Sequence, residues 1–277
     1  MSPSLVVLGH VTLDLIRRAA DTAVIRCLGG AASFCARVAE RQGETVGVVT
    51  AAPADLDVLV ALKNQANIGV ALHPCAQATT FSLDYSVTPR ALRLLARADD
   101  LQPSMLPAAW TSTKAAFIGP VANECAPGLV QALPNAFVGV GMQGVMRVVA
   151  DDGAVRPTWP HAWLAAWPAS AKVAVLSDED HPHAAVVAQA VATKGAVVAL
   201  THGSRGSTLF VPSTNGTCST HHVPACLAVE VDPTGAGDTF AVMLTLGLAA
   251  GKPVLAAAQS AAEAAARVVE GPGLGRL

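Results

Sequence analysis

The chain has 277 residues, of which 52% are hydrophobic and 14% charged, so it can bury a large core as one α/β domain or two small ones. A formal net charge of -2 leaves no basic field for a polyphosphate backbone, so we expect no nucleic-acid partner. The six cysteines include no Cys-x-x-Cys pair, which argues against a zinc site or a disulfide framework.

Short apolar runs alternate with helical stretches along the chain, as in a parallel sheet covered by helices on both faces. The predicted strands are residues 5–9, 46–50, 115–119, 136–140, 173–176 and 196–200. The predicted helices are residues 31–42, 182–194, 239–250 and 253–270. Right-handed crossovers place helices on both faces, so we predict one three-layer, doubly wound α/β domain over residues 1–277.

Two segments need separate treatment. The uncharged stretch 125–146 is long enough to span a bilayer, but prolines and glycines divide it into a predicted loop, short helix and buried strand. We therefore expect no membrane association. No basic stretch precedes the first apolar run, so we expect no export signal and a cytoplasmic protein.

Residues 79–85 alternate polar and apolar side chains, which predicts an exposed strand outside the main sheet, part of a small lid.

The main chemical signal is Gly235-Ala236-Gly237-Asp238, which directly precedes an apolar helix. Three residues with almost no side chain let backbone amides at a helix N-terminus approach an anion. A carboxylate at Asp238 would lie beside that anion. This arrangement suits a base that takes a proton from an attacking hydroxyl while the amides hold a transferred phosphoryl group. The alternative is a tight turn with a helix-capping acid.

The segment 232–240 closely resembles the second signature of the PfkB family, the ribokinase-like carbohydrate kinases, and departs from it only at Pro233. The resemblance implies a ribokinase-like fold with a β lid, ATP as donor and Mg²⁺ as cofactor. It also implies that Asp238 is the general base, with Thr234 on the nucleotide side. The implied reaction is phosphorylation of a hydroxyl on a small polyol, sugar or nucleoside.

Further motifs resemble the family in the same order along the chain. Asp14 follows the first strand, where relatives bind acceptor hydroxyls, and a carboxylate can accept two hydroxyl protons. Gly29 and Gly30 precede a helix, as in the first signature, whose amides meet the substrate. The turn that begins at Thr201 and contains Gly203 and Gly206 resembles the family's nucleotide-binding turn.

Several positions depart from the family pattern. Phe34 stands where ribokinase has asparagine, and the run that ends at Phe34 resembles plant-type myo-inositol kinases; we expect Phe34 to form an apolar wall of the acceptor site. Ser177 and Asp180 replace the outer members of an Asn-x-x-Glu motif, so Asp180 is a candidate for water-mediated contact with the metal. The lid, from segments near 15–28 and 78–90, is expected to be short. A lid-paired dimer is then less secure, and both a monomer and a homodimer stay open.

The predicted function is therefore ATP-dependent phosphorylation of a small carbohydrate or polyol, with an inositol-like polyol among the candidates and Asp238 as base. Two alternatives stay open: a nucleoside kinase of the same family, in which Phe34 stacks on a base, and an inactive ligand-binding or regulatory protein with the kinase fold. Arg147 follows the end of a predicted strand that faces the expected cleft, where it could meet substrate or phosphate. Of the two alternatives we expect a solvated surface residue.

Overall fold

The computed structural model describes residues 2–18, 23–87, 90–213 and 217–271. Its strands are β1 Leu5–Leu8, β2 Thr12–Arg17, β3 Ile25–Gly29, β4 Val46–Ala52, β5 Ile68–Pro74, β6 Thr79–Asp84, β7 Ala91–Ala96, β8 Ala115–Ile118, β9 Phe137–Gly141, β10 Arg147–Val149, β11 Val155–Pro157, β12 Ala171–Ser177, β13 Val197–Thr201, β14 Ser207–Pro212 and β15 Cys218–Val223. Its helices are α1 Ala31–Arg41, α2 Asp57–Lys63, α3 Gly128–Gln131, α4 His161–Ala165, α5 Ala184–Ala192, α6 Ala236–Ala249 and α7 Val254–Val269.

Nine strands form the central sheet, in the order β15-β14-β13-β12-β9-β8-β1-β4-β5. The seven from β13 to β5 are parallel, and β14 and β15 add an antiparallel edge. All six predicted strands lie in this sheet, and all four predicted helices are present. The chain winds from β1 towards β5 and then returns past β1 to build the other half. The switch point therefore lies between β1 and β8, where ligands bind beyond the carboxyl ends of open α/β sheets.

Helices cover both faces of the central sheet and so complete three layers. Helices α1, α2, α6 and α7 bury one apolar cluster against it, and α3, α4 and α5 bury a second cluster on the opposite face. This confirms the predicted doubly wound α/β class. Strands β1 and β4 are buried along their whole length, which explains their continuous apolar runs. None of the described helices is long and apolar enough to cross a bilayer.

A second sheet of four strands, β3-β2-β6-β7, stands apart from the main one. Strands β2 and β6 pair in parallel, and the two outer pairs are antiparallel. The predicted exposed strand at 79–85 is β6, and it belongs to this sheet as expected. The predicted lid segments near 15–28 and 78–90 include parts of these strands, although residues 19–22 and 88–89 lie outside the described residues. The role of the sheet as a lid stays a prediction.

Candidate active site

Two glycines of the turn before α6 have different environments. Gly235 has φ +81°, and a Cβ there would lie 2.1 Å from Cδ1 of Phe34, so the fold itself requires glycine. A Cβ on Gly237 would have no described heavy atom within 4 Å. Packing within the described chain therefore does not demand glycine at position 237. The open space beside it is where a ligand could approach the backbone.

The backbone amides of this turn are only partly free. The Ala236 N–H donates to the carbonyl of Pro233 at 3.2 Å, and the Thr239 N–H donates to the carbonyl of Gly235 at 2.9 Å. The amides of Gly237 and Asp238 have no bonded acceptor among the described residues. They lie in the first turn of the 14-residue helix α6, where unpaired N–H groups and the helix dipole favour an anion. The contribution of the Ala236 amide stays a prediction, and in this structure that amide is bonded to Pro233.

The Asp238 carboxyl is half-buried in the first turn of α6. Burial raises its pKa to about 6, the Arg147 guanidinium lowers it, and the Asp180 and Asp14 carboxylates raise it. Asp14, Asp180 and Asp238 are thus brought within electrostatic range of one another, although the chain places them far apart. A carboxyl that titrates near pH 6 is well matched to a general base acting near neutral pH.

Arg147 is not the solvated surface residue that we expected. Its side chain is half-buried, Nη1 donates to the carbonyl of Val121 at 2.8 Å, and the guanidinium carbon lies 5.5 Å from the ring centroid of Phe81. Burial lowers its pKa, while Asp180, Glu124 and Asp238 raise it. The expectation failed because the loop after β8 and Phe81 of β6 cover the side chain, a contact between segments far apart in the sequence.

On the acceptor side, the structure brings Asp14 and Gly29 together. A Cβ on Gly29 would lie 2.4 Å from Oδ2 of Asp14, so the carboxylate packs directly on the glycine backbone. The hydroxyl of Thr12 donates to Oδ1 of Asp14 at 3.0 Å. Burial raises the pKa of Asp14, and the bond from Thr12 and the charge of Arg147 lower it. Gly30, with φ +93°, would place a Cβ 2.4 Å from the carbonyl oxygen of His10, so glycine is required there.

The second sheet contributes an apolar surface next to Asp14. Asp14 pairs with Phe81 across β2 and β6, and Phe81 pairs with Leu94 across β6 and β7. Phe81 packs in a cluster with residues of β6, β7, β11, α1 and the loop after β8. The members of that cluster are Ala31, Phe81, Leu83, Leu92, Leu94, Val121, Ala122 and Val155. Apolar walls on this side thus come from the second sheet.

Phe34 does not form the acceptor wall that we expected. Only 2% of its surface is exposed, and it belongs to the core between the central sheet and the helices. Its ring packs against Gly235. The thiol of the next residue, Cys35, donates to the carbonyl of Asp238 at 3.6 Å. Both residues lie on the buried side of α1. Phe34 therefore shapes the turn before α6 and is not available to stack on a nucleoside base.

The turn after β13 contains the predicted nucleotide-binding residues Thr201, Gly203 and Gly206. Gly203 and Gly206 have φ +58° and +90°. Thr201 ends β13 at the carboxyl edge of the sheet, next to β12 in the order β13-β12-β9. Among the described residues no hydrogen bond or ion pair joins this turn to Asp238, so its role stays a prediction. The same is true of Thr234, whose hydroxyl donates to Oδ1 of Asp232 at 2.5 Å.

Side chains in and beside this turn bind Asp178. Oδ2 of Asp178 lies 2.8 Å from Nδ1 of His202 and accepts from Nη2 of Arg205 at 2.6 Å. Asp178 therefore ties the loop after β12 to the turn after β13. The contacts of Asp178 with His202 and Arg205 were not predicted from the sequence. A signal was present, since both loops follow neighbouring parallel strands and must meet at one edge.

Asp180 is the predicted metal contact. Its Oδ2 accepts from the Ser177 amide at 2.7 Å, and its Oδ1 accepts from Nε2 of Gln143 at 3.3 Å. Burial raises the pKa of Asp180, and Arg147 lowers it. No group of three potential metal-ligating side chains occurs in the described part of the chain. A site with so few protein ligands suits Mg²⁺, which usually keeps several of its waters and also binds the phosphates of the ligand.

The comparisons with known proteins point to the family that the motifs resemble. Residues 148–276 match the family model described as pfkB family carbohydrate kinase. The match covers the turn after β13 and the turn before α6. The resemblance to this family that the motifs predicted is therefore confirmed. No curated protein matches the chain.

Solved structures of kinases share the fold at low identity. One is a pyrophosphate-dependent kinase in the ribokinase family, complexed with a pyrophosphate analog and myo-inositol, with a TM-score of 0.82, 18% identity and coverage of 97% of this chain and 96% of that one. Aminoimidazole riboside kinase from Salmonella enterica has a TM-score of 0.71 and 18% identity, with 97% and 94% coverage. Fructokinase from Vibrio cholerae has a TM-score of 0.71 and 19% identity, with 99% and 94% coverage.

Proposed function

We propose that this protein transfers a phosphoryl group from ATP to a hydroxyl of a small polyol or sugar, with Asp238 as the general base. The observation that carries the proposal is the pairing of the Asp238 carboxyl, whose pKa is raised to about 6, with two unbonded amides at the N-terminus of α6. A base and an anion site then share one helical turn.

In the proposed mechanism the acceptor lies between Asp14 and Asp238. The Asp14 carboxylate accepts hydrogen bonds from acceptor hydroxyls, and the amides of Gly237 and Asp238 hold the transferred group. Asp238 takes the proton of the attacking hydroxyl, the oxygen attacks the terminal phosphorus, and the bond to the leaving phosphate breaks. Arg147 supplies positive charge close to these carboxylates. Most of the catalysis would come from positioning and from electrostatic stabilisation.

Mg²⁺ bound with the donor phosphates would neutralise part of their charge. Asp180 is the side chain that would hold it, through water, because its oxygens keep acceptor capacity beyond the bonds to Ser177 and Gln143. Asp178 is less suited to this role, since it already binds Arg205 and His202.

The acceptor class is narrowed by the walls of the site. The cluster around Phe81 is apolar, whereas Asp14 and Arg147 are the charged groups beside it. A cyclic polyol has a C–H face for such a wall and hydroxyl edges for the carboxylate. The complex of a similar fold with myo-inositol supports this choice. The base-stacking argument for a nucleoside acceptor is lost, because Phe34 is buried.

Pyrophosphate is a second candidate donor. The observation that favours it is that a structural neighbour with a TM-score of 0.82 is described as pyrophosphate-dependent. An assay that follows phosphorylated product with ATP or pyrophosphate, each with myo-inositol, ribose, fructose or adenosine, tests donor and acceptor together. Preference for a furanose or a nucleoside over myo-inositol would overturn the polyol assignment but leave the kinase assignment standing. Absence of product with either donor, from folded protein, would overturn the kinase assignment for these acceptors.

A further inference from the structure

A buried carboxylate lies at the switch point between β1 and β8 and has no role in the mechanism above. Only 1% of the Glu124 surface is exposed. Its Oε1 accepts from the His10 amide at 3.0 Å, both oxygens accept from the Val121 amide at 3.0 Å, and Oε2 accepts from the Ala122 amide at 2.7 Å. Three backbone amides thus converge on one side chain.

These amides belong to the two loops that form the switch point. His10 follows β1, four residues before Asp14, and Val121 and Ala122 follow β8. Among the described residues no lysine or arginine forms an ion pair with Glu124, and Nδ1 of His10 lies 3.9 Å from Oε1. The His10 imidazole forms hydrogen bonds with other partners. Its Nε2 donates to the carbonyl of Asp99 at 2.9 Å, so in the neutral ring Nδ1 accepts from the Thr79 hydroxyl at 2.7 Å.

Both loops bear on the candidate active site. The carbonyl of Val121 is the acceptor for Nη1 of Arg147 at 2.8 Å, so the orientation of this peptide sets the position of the guanidinium. The carbonyl of His10 packs against Gly30, and the chain continues directly from His10 into the strand that bears Asp14. The Glu124 carboxylate therefore holds the backbone behind Arg147 and the backbone that leads to Asp14.

We propose that Glu124 is a positioning residue for phosphoryl transfer, which sets the geometry of Arg147 and of the loop that leads to Asp14 without touching substrate. The proposal rests on the kinase activity proposed above. A buried carboxylate that serves only stability would affect folding and leave the kinetic constants of the folded protein unchanged. Substitution of a positioning residue changes both the stability and the kinetic constants of the folded protein.

The test substitution is Glu124→Gln. Glutamine has nearly the same size but replaces one acceptor oxygen by an NH₂ group, which would then face a backbone N–H. Loss of a charge-assisted hydrogen bond of this kind predicts a fall in kcat/KM for the acceptor of about ten- to a hundredfold. The fall should appear mainly in kcat, with the Kd for the donor changed less than about threefold, because the turn after β13 is not bonded to Glu124.

Thr113→Val is the matched control. Thr113 is 2% exposed, and its hydroxyl lies within hydrogen-bond distance of three carbonyl oxygens, of Pro3, Ser4 and Ala115 at 3.1, 3.1 and 3.0 Å, to which it can donate its one proton. It lies just before β8, at the opposite edge of the sheet. This variant should lose stability but keep kcat/KM within about twofold of the parent, because the lost bonds lie far from the site. All rates are measured well below the Tm of each variant.

Two further measurements keep the outcome decisive. If Glu124→Gln does not fold, Glu124→Asp takes its place. Aspartate keeps the charge on a side chain shorter by one methylene, and we expect kcat/KM for the acceptor to fall about three- to tenfold. In Glu124→Gln combined with Arg147→Lys, the two effects should be less than additive, because one acts through the other. Kinetic constants of folded Glu124→Gln, or of Glu124→Asp in its place, within twofold of the parent would overturn the proposal.

A crystal structure of the same variant gives a readout that does not depend on activity. We expect Nη1 of Arg147 to lie more than about 3.5 Å from the carbonyl of Val121, beyond hydrogen-bond distance. An unchanged contact, together with an unchanged path of residues 9–14, would also overturn the proposal. If the parent protein transfers no phosphoryl group, the proposed function fails, while this structural comparison still tests the positioning role separately.

Discussion

Replacement of Asp238 by asparagine should abolish turnover and at the same time stabilise the fold. The carboxyl has a pKa of about 6 in the folded protein, against an ordinary value of 3.8, and burial is the main cause. The folded state therefore holds a proton up to about pH 6 that the unfolded chain has already released. Stability falls as the pH rises from about 4 to 6, and the full cost of the buried charge remains above pH 6.

The size of this cost follows from the pKa difference. A difference of about two pH units corresponds to at most about 3 kcal/mol, which is several degrees in Tm for a domain of this size. Asp238→Asn should recover up to that amount at pH 7.5 and almost none at pH 4, where the carboxyl is protonated in the folded state. Loss of the general base should lower kcat by about 10²- to 10⁴-fold.

The assay combines thermal unfolding at pH 4 and pH 7.5 with steady-state rates. The control is Asp55→Asn, which removes an exposed carboxylate outside the site and should leave both the Tm and the rates nearly unchanged. A pH profile of the parent should show kcat/KM falling below an apparent pKa near 6. An unchanged rate in Asp238→Asn, or a variant less stable at pH 7.5 than the parent, would refute the reasoning.

Four further predictions follow from the site. Gly237→Val should fold but lose activity, because its side chain has open space yet blocks access to the amides. Gly235→Ala should lower the Tm, because its Cβ would collide with Phe34. Thermal unfolding followed by circular dichroism, together with kinase rates, separates the two effects. Asp14→Ala should raise the acceptor KM by about ten- to a hundredfold with little change in the donor KM, and equal changes in both would contradict its assignment. Arg147→Met should move the acid limb of the pH profile upward, since the guanidinium lowers the pKa of Asp238; a shift downward would contradict that sign. Phe34→Ala should cost about 3–5 kcal/mol of stability, measured by denaturant unfolding, and an altered acceptor preference without destabilisation would restore Phe34 to the pocket.

The sequence was sufficient for six of the nine strands of the central sheet, and β5, β14 and β15 were not predicted. The predicted strands are mostly buried, whereas β5 and β15 are partly exposed. Strands such as β1 and β12 read as continuous apolar runs, and their order with the helices leaves few possible topologies. The strands β2, β3 and β7 of the second sheet escaped prediction, since their apolar residues are shared between two partly exposed faces. Periodicity gives little signal in such strands.

The predicted site residues all belong to short local motifs, namely Asp14, Gly29 and Gly30, Asp180, the turn at 201–206 and the turn at 235–238. The glycine turn and Asp238 lie in nine consecutive residues and could be identified from them. Arg147 donates to the carbonyl of Val121, 26 residues away, and Glu124 accepts from the amide of His10, 114 residues away. Contacts at such separations leave no local sequence signal. Phe34 was misassigned for the converse reason: its position in the sequence is close to the site, but its side chain lies on the buried side of α1.

The most direct test of the central claim is detection of a phosphorylated acceptor by ³¹P NMR, with the parent protein and Asp238→Asn compared under identical conditions. ATP and pyrophosphate are supplied in parallel, with Mg²⁺ and myo-inositol as the first acceptor. We predict a phosphomonoester signal that grows with the parent protein and is at least about a hundredfold slower with the variant. Equal rates of ester formation by the two proteins would contradict the account.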